Sequence, residues 1–212
     1  YTLKKAGGSV KILVKLTPAD YTPVTFTVSG FLDGEQSGEL EVKDPVVVDK
    51  GNFEATWTVV GKNSESAGSS NNPAVSVTSL VLTGEQTNYK DSNAATKFND
   101  NNTTAPATYF ETTVTVNSGT LTLYGFSYVE RGTEGTQVSV QYSIANANFV
   151  EFASYTMEEA GERSFDFAEV NALKSIGAGT NVKFRIVPVG ATAKDKYGLT
   201  DAAPISLWGN VK

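Results

Sequence analysis

The segment Gln137–Phe152, Q-V-S-V-Q-Y-S-I-A-N-A-N-F-V-E-F, constrains the fold more than any other stretch of the chain. Val138, Val140, Tyr142 and Ile144 alternate with Gln137, Ser139, Gln141 and Ser143. A period of two puts one apolar and one polar face on an extended strand. Ala145-Asn146 follows, and asparagine tolerates the left-handed backbone that a tight hairpin requires. A second strand is expected from Asn148-Phe149. A chain that carries this hairpin builds antiparallel sheet.

The same signal recurs along the chain. Residues 9–17 and 23–29 each alternate, with Val10, Ile12, Val14 and Leu16 on one face of the first and Val24, Phe26 and Val28 on one face of the second. Thr17-Pro18-Ala19-Asp20 supplies the turn between them. Asp49-Lys50-Gly51-Asn52 is polar and turn-forming, and marks a boundary between a segment 1–49 and a larger segment 50–212. Phe53, Ala55, Trp57 and Val59 share one strand face, which reads Trp57 as core. In Ala74–Gly84 the alternation slips between Val77 and Leu80, a bulge or bend. Glu85–Ala107 is the longest polar stretch, and loops of that length in a compact domain tend to be functional. Tyr109–Asn117 and Thr120–Val129 read as a strand pair turned at Ser118-Gly119. Further strands are expected at 164–167, 181–189 and 204–211, with one helical turn within 169–176. About twelve short strands and almost no helix predict an antiparallel β-sandwich.

Composition narrows the chemistry. Neither Cys nor His occurs among the 212 residues. Disulfides, thiol chemistry, Ser-His or Cys-His nucleophiles and the commonest zinc ligand are therefore excluded. A formal net charge of -6 argues against nucleic acid or an anionic membrane as partner. No apolar run approaches the ~18 residues of a membrane-spanning helix. The chain opens on Tyr1-Thr2-Leu3, a strand-like start that suggests a mature or trimmed piece of a longer protein.

Several segments, in order, resemble the jelly-roll modules of secreted and surface proteins of Bacteroidetes. They are Y-F-E-T-T-V-T-V-N-S-G-T-L-T-L-Y-G-F-S-Y (Tyr109–Tyr128), the turn around Arg131, Gly132, Thr133 and Gly135, and Gln141-Tyr142-Ser143 with Asn148-Phe149. Phe165-Asp166-Phe167, Val182-Lys183-Phe184-Arg185-Ile186 and the closing I-S-L-W-G-N-V complete the series. The resemblance covers residues 53–212 and departs at Ala145-Asn146, where the family carries Asp-Gly. Residues 6–29 resemble the opening hairpin of an immunoglobulin-like or Calx-beta-like repeat. Asn99-Asp100-Asn101-Asn102-Thr103-Thr104 is similar to a discoidin-type module that lacks its usual Trp. The fold expectation is therefore all-β: an antiparallel, jelly-roll-like sandwich preceded by a small strand-rich, immunoglobulin-like segment. The resemblance implies a non-catalytic, extracellular or cell-surface module.

Candidate site residues follow from chemistry. Asp91, Asn99, Asp100 and Asn101 offer the hard oxygen donors that calcium takes, which makes calcium a candidate cofactor beside the plainer reading of simple turn chemistry. Trp208 falls on the polar face of the last strand, where an exposed indole stacks on a sugar ring; packing under a loop or against the N-terminal strands is the alternative. Tyr89 and Tyr109 flank the long polar loop and join the same expectation. Arg131 and Arg185 suit a carboxylate or sugar hydroxyls, or else a structural pair with Glu130, Asp166 or a strand-end carbonyl. The expected ligand is a glycan or cell-surface partner, bound by a monomer. A structural or adhesive module without a small ligand is the second reading. A glycosidase using two carboxylates is the third.

Overall fold

The structure, a computed structural model, describes residues 50–59, 65–87, 94–97, 101–190 and 196–212. The chain divides into two compact units at the Asp49/Lys50 boundary, and the described residues belong to the second. The strands expected at 9–17 and 23–29, and the immunoglobulin-like resemblance they carry, lie outside the described residues.

Among the described residues the strands are β1 (Phe53–Trp57), β2 (Glu65–Ser66), β3 (Gly68–Ser70), β4 (Val75–Val77), β5 (Leu80–Thr83), β6 (Glu85–Thr87), β7 (Ala94–Lys97), β8 (Tyr109–Val116), β9 (Thr120–Gly132), β10 (Gln137–Ile144), β11 (Val150–Thr156), β12 (Gly161–Asp166), β13 (Ile176–Gly177), β14 (Asn181–Val189), β15 (Lys196–Leu199) and β16 (Ile205–Val211). The expected helical turn is a 3-10 turn at Asn171–Leu173. No helix is long and apolar enough to cross a membrane.

Two antiparallel sheets form a β-sandwich. The first runs β3-β1-β16-β9-β15-β7-β6, with β12 and β13 also on β9; the second runs β11-β10-β14-β8-β5-β2, with β4 also on β8. The chain winds between them, from β8 to β9 to β10–β11 to β12 to β14 to β16, in the crossing pattern of a jelly roll. That winding corrects one local expectation. Residues 109–117 and 120–129 do not pair with each other, because β8 belongs to the second sheet and β9 to the first. Asn117-Ser118-Gly119 is a crossover, with Gly119 at φ +75. Alternation shows that two strands exist and which face of each is apolar, but it does not name the partner.

The hairpin of β10 and β11 forms as expected. Ala145 and Asn146 both take positive φ, 51 and 59, and the Ala147 N–H closes the turn on the Ile144 carbonyl. The apolar face of β10 enters the core opposite the first sheet. There Phe126 stacks on Phe184 across the sandwich at 5.8 Å, and Phe167 stacks on Phe184 at 5.9 Å. Trp57 is fully buried and its indole N–H donates to the Thr78 carbonyl at 2.8 Å. Beyond the exposed Gln137, the polar face of β10 is not solvated. Ser139, Gln141 and Ser143 are buried, with Ser139 bonded to Glu151, Gln141 to the Thr103 carbonyl and Ser143 to the Ala147 carbonyl.

Candidate functional site: a cleft on the outer face of the second sheet

The alternation of β8 turns Phe110, Thr112 and Val114 inward and leaves Tyr109, Glu111 and Thr113 on the outer face. The neighbouring edge is broken. β4 and β5 both pair with β8, one at Val114–Val116 and the other at Tyr109–Glu111, and the chain between them, Thr78-Ser79, leaves strand geometry. This is the slip in alternation seen between Val77 and Leu80. Thr78 locks the break in place. Its carbonyl accepts from Trp57 Nε1 and Thr112 Oγ1, and its hydroxyl accepts the Thr113 N–H.

The break opens a cleft of about 380 Å³ lined by Glu65, Thr78, Ser79, Val81, Thr83, Tyr109, Glu111, Thr112 and Thr113. That volume falls in the range of small-ligand sites. Strand register builds its wall as a row across the sheet: Glu65 on β2 faces Val81 on β5, Val81 faces Glu111 on β8, Glu111 faces Arg185 on β14, and Arg185 faces Gln141 on β10. Val81 is 41% exposed, one of the exposed large apolar side chains among the described residues.

Tyr109 is held rigidly. The Arg185 guanidinium lies between two rings, 4.1 Å from the Tyr109 centroid and 3.6 Å from that of Phe149. Its Nη2 and Nε donate to Glu111 Oε2 at 2.8 and 3.1 Å, and Lys183 Nζ stands 3.8 Å from Glu111 Oε1. Each ring contact is a cation–π interaction: the Phe149 contact and the Glu111 bonds hold Arg185, and Arg185 in turn restrains the Tyr109 phenol. The cleft thus presents one fixed aromatic ring, an exposed valine, two carboxylates and a set of threonine and serine hydroxyls. Chemically, such a surface combines an aromatic face for apolar C–H groups with oxygens that can pair with hydroxyl groups. Among the described residues no group of three or more Asp and Glu is arranged to hold a metal ion.

A second Glu–Arg pair lies between the sheets. Glu130 on β9 is fully buried and accepts from Arg163 Nε at 2.6 Å, Tyr155 OH at 2.5 Å and Tyr197 OH at 2.6 Å, while the Tyr128 hydroxyl meets that of Tyr155 at 2.8 Å. Burial, then the charge of Glu130, pushes the Tyr155 phenol well above its usual value. Burial likewise raises Tyr128 and Tyr197. These phenols therefore stay protonated; Tyr155 and Tyr197 donate to the carboxylate, and Tyr128 bonds to the Tyr155 hydroxyl.

Of the residues expected from sequence, Tyr109 lies in the cleft. Trp208 does not. It sits on the opposite sheet, only 5% exposed, with a bulge at Trp208/Gly209, its ring against Gly125 and Lys50 Nζ 5.6 Å above it. A Cβ on Gly125 would come within 2.3 Å of Trp208 Cζ2, so the glycine makes the seat in which the indole is buried. This corrects the expectation of a solvent-facing Trp208. Arg131 is half-buried on β9 opposite Gly198, also in the first sheet. The arginine that meets Glu130 is Arg163. Asn101 is buried and its amide is spent on the protein: Nδ2 donates to the Thr108 and Pro188 carbonyls, and Oδ1 accepts the Ala107 and Thr108 N–H groups. It organises the loop as a hydrogen-bond hub. Tyr89, Asp91, Asn99 and Asp100 lie outside the described residues.

Sequence reasoning missed Glu111, Glu65, Val81 and Phe149. The alternation of Tyr109-Phe110-Glu111 was a usable signal for Glu111 beside Tyr109. Nothing local marks Glu65 or Phe149, which reach the site through sheet order and a turn.

No protein-family model matches the chain, and no curated protein matches it. Among solved structures it is similar to TmCBM61 in complex with beta-1,4-galactotriose, at 13% identity and a TM-score of 0.32, over 72% of this chain and 88% of that one. It is also similar to the Podospora anserina GH26-CBM35 beta-(1,4)-mannanase, at 13% identity and a TM-score of 0.29, over 66% of this chain and 29% of that one. At this level of similarity the functional reading rests on the cleft itself.

Proposed function

We propose that residues 50–212 form a non-catalytic glycan-binding module whose site is the cleft over β8, β5 and β2. The observation that carries this reading is the Tyr109 ring, fixed by Arg185 at the wall of a hydroxyl-lined cleft. A rigid aromatic ring loses little entropy on stacking, and the lining side chains Glu111, Thr83, Ser79 and Thr113 supply hydrogen-bonding oxygens for sugar hydroxyls. A hydrolytic reading uses the same cleft, since Glu65 and Glu111 both line it. Glu111, however, is tied to Arg185 and Lys183, which leaves Glu65 alone where the mechanism needs two free carboxyl groups.

The test is glycan-array or affinity-gel binding by wild type and Tyr109→Ala. Binding by wild type and loss of about ten-fold or more in Tyr109→Ala supports the reading, since stacking on one ring contributes on the order of 1 kcal/mol or more. Retention of full affinity by Tyr109→Ala, or no binding by wild type, favours a structural or adhesive module instead. The setting we infer, a secreted or surface-displayed protein, rests on the jelly-roll resemblance and is tested by fractionation of the producing cell.

A further inference from the structure

We infer that the cleft discriminates by charge: it takes glycans of uncharged sugars and rejects uronate-bearing ones, with Glu65 as the discriminating group. This rests on the glycan-binding reading of the same cleft. Of the described residues that line it, only Glu65, Glu111 and Tyr109 carry an ionisable group, and neither Lys nor Arg is among them. The cation beside the Tyr109 ring is Arg185, 4.1 Å from its centroid, and it is not among the residues that line the cleft.

The nearest cations do not change this. Arg185 and Lys183 stand on β14, on one side of Glu111, whereas the cleft opens on the other side, over β5. Arg185 is capped by two rings and spends Nε and Nη2 on Glu111. The Glu111 charge is thereby compensated within the sheet. Glu65 differs. It is exposed on the two-residue β2, opposite Val81, and has no ion-pair or hydrogen-bond partner among the described residues. Its carboxylate is free to accept two adjacent sugar hydroxyls and repels a third-party anion in the cleft.

Affinity electrophoresis in gels holding galactan, mannan, xylan or glucan, against polygalacturonate and alginate, tests this. Wild type is expected to bind at least one neutral polymer and to bind both polyuronates about five-fold or more weakly, the factor a like charge at contact distance imposes in water. Glu65→Gln is expected to raise polyuronate affinity by about the same factor at roughly 50 mM salt, and by less at roughly 500 mM, where the charge is screened. Polyuronate binding equal to or tighter than neutral binding overturns the inference, as does a Glu65→Gln protein with unchanged preference. If wild type binds a polyuronate as tightly as a neutral polymer and Tyr109→Ala loses that binding, the cleft stands as a glycan site and only the charge rule falls. If wild type binds no polymer, both fall.

Discussion

Two Glu–Arg pairs, each with a tyrosine ring against the guanidinium, do different things in this molecule because of where they lie. Glu130 and Arg163 sit between the sheets, with the Arg163 guanidinium 5.0 Å from the Tyr155 centroid and the carboxylate fully buried. Glu111 and Arg185 sit on the outer face, where the Glu111 side chain keeps 22% of its exposure and Tyr109 borders the cleft. Inside, the carboxylate needs every donor around it, and the two tyrosine hydroxyls and Arg163 supply them. Outside, water shares that task, and the pair instead orients a ring toward solvent. The same residue types make a staple in one place and flank a cleft in the other.

The largest expected effect breaks the inner pair. Glu130→Ala leaves Arg163 and the Tyr155 and Tyr197 hydroxyls without their acceptor, and a loss of about 3–5 kcal/mol is expected from the urea midpoint. Glu111→Ala, half-way to solvent, is expected to cost less than about 1 kcal/mol. Equal losses would erase the distinction between the two sites.

Alkali probes the inner site alone. The Tyr128, Tyr155 and Tyr197 phenols hold their protons more tightly folded than unfolded. Stability is then complete below about pH 10, the ordinary phenol value, and falls above it as the unfolded chain releases protons the folded one keeps. The slope is up to about 1.4 kcal/mol per pH unit for each phenol. Urea midpoints taken through this range should fall less steeply for Tyr155→Phe than for wild type.

Arg185→Lys sharpens the outer side. A lysine keeps the charge but cannot lie flat between Tyr109 and Phe149 or bond Glu111 through two nitrogens. A loss of about 1 kcal/mol in stability is expected, with weaker glycan binding because the Tyr109 ring is no longer held. Affinity unchanged in this variant would mean that the ring needs no holding.

The smallest effect is at the turn that leads to Phe149. Ala145 carries a side chain at φ 51, and Ala145→Gly should raise stability by a few tenths of a kcal/mol, since relief of the left-handed strain outweighs glycine's larger backbone entropy only slightly. A lower melting temperature would show that the turn is not strained at Ala145.

Much of the fold was legible locally. Period-two alternation marked β1, β8, β9, β10, β14 and β16 and told which face of each is apolar, because a strand's side chains alternate whatever it pairs with. Trp57 as core, the bend after Val77 and the Ala145-Asn146 turn followed from the same local rules. Tyr109 was legible as a candidate, and its neighbour Glu111 lay two residues away on the same face.

What the tertiary structure alone decided is partnership. Alternation labelled Ser139, Gln141 and Ser143 polar and Trp208 polar-faced, which locally reads as solvent-facing. Chain packing buries the three on β10, and Gly125 with the bulge at Gly209 buries the indole. Likewise Tyr109–Asn117 and Thr120–Val129 look like a hairpin until the winding assigns them to opposite sheets. The site depends on the same kind of information. Glu65, Val81, Glu111 and Arg185 are spread over 120 positions of sequence, and they become one row only through the register of β2, β5, β8 and β14. A strand's own residues determine its faces; which strands lie beside it is a free-energy decision of the whole core.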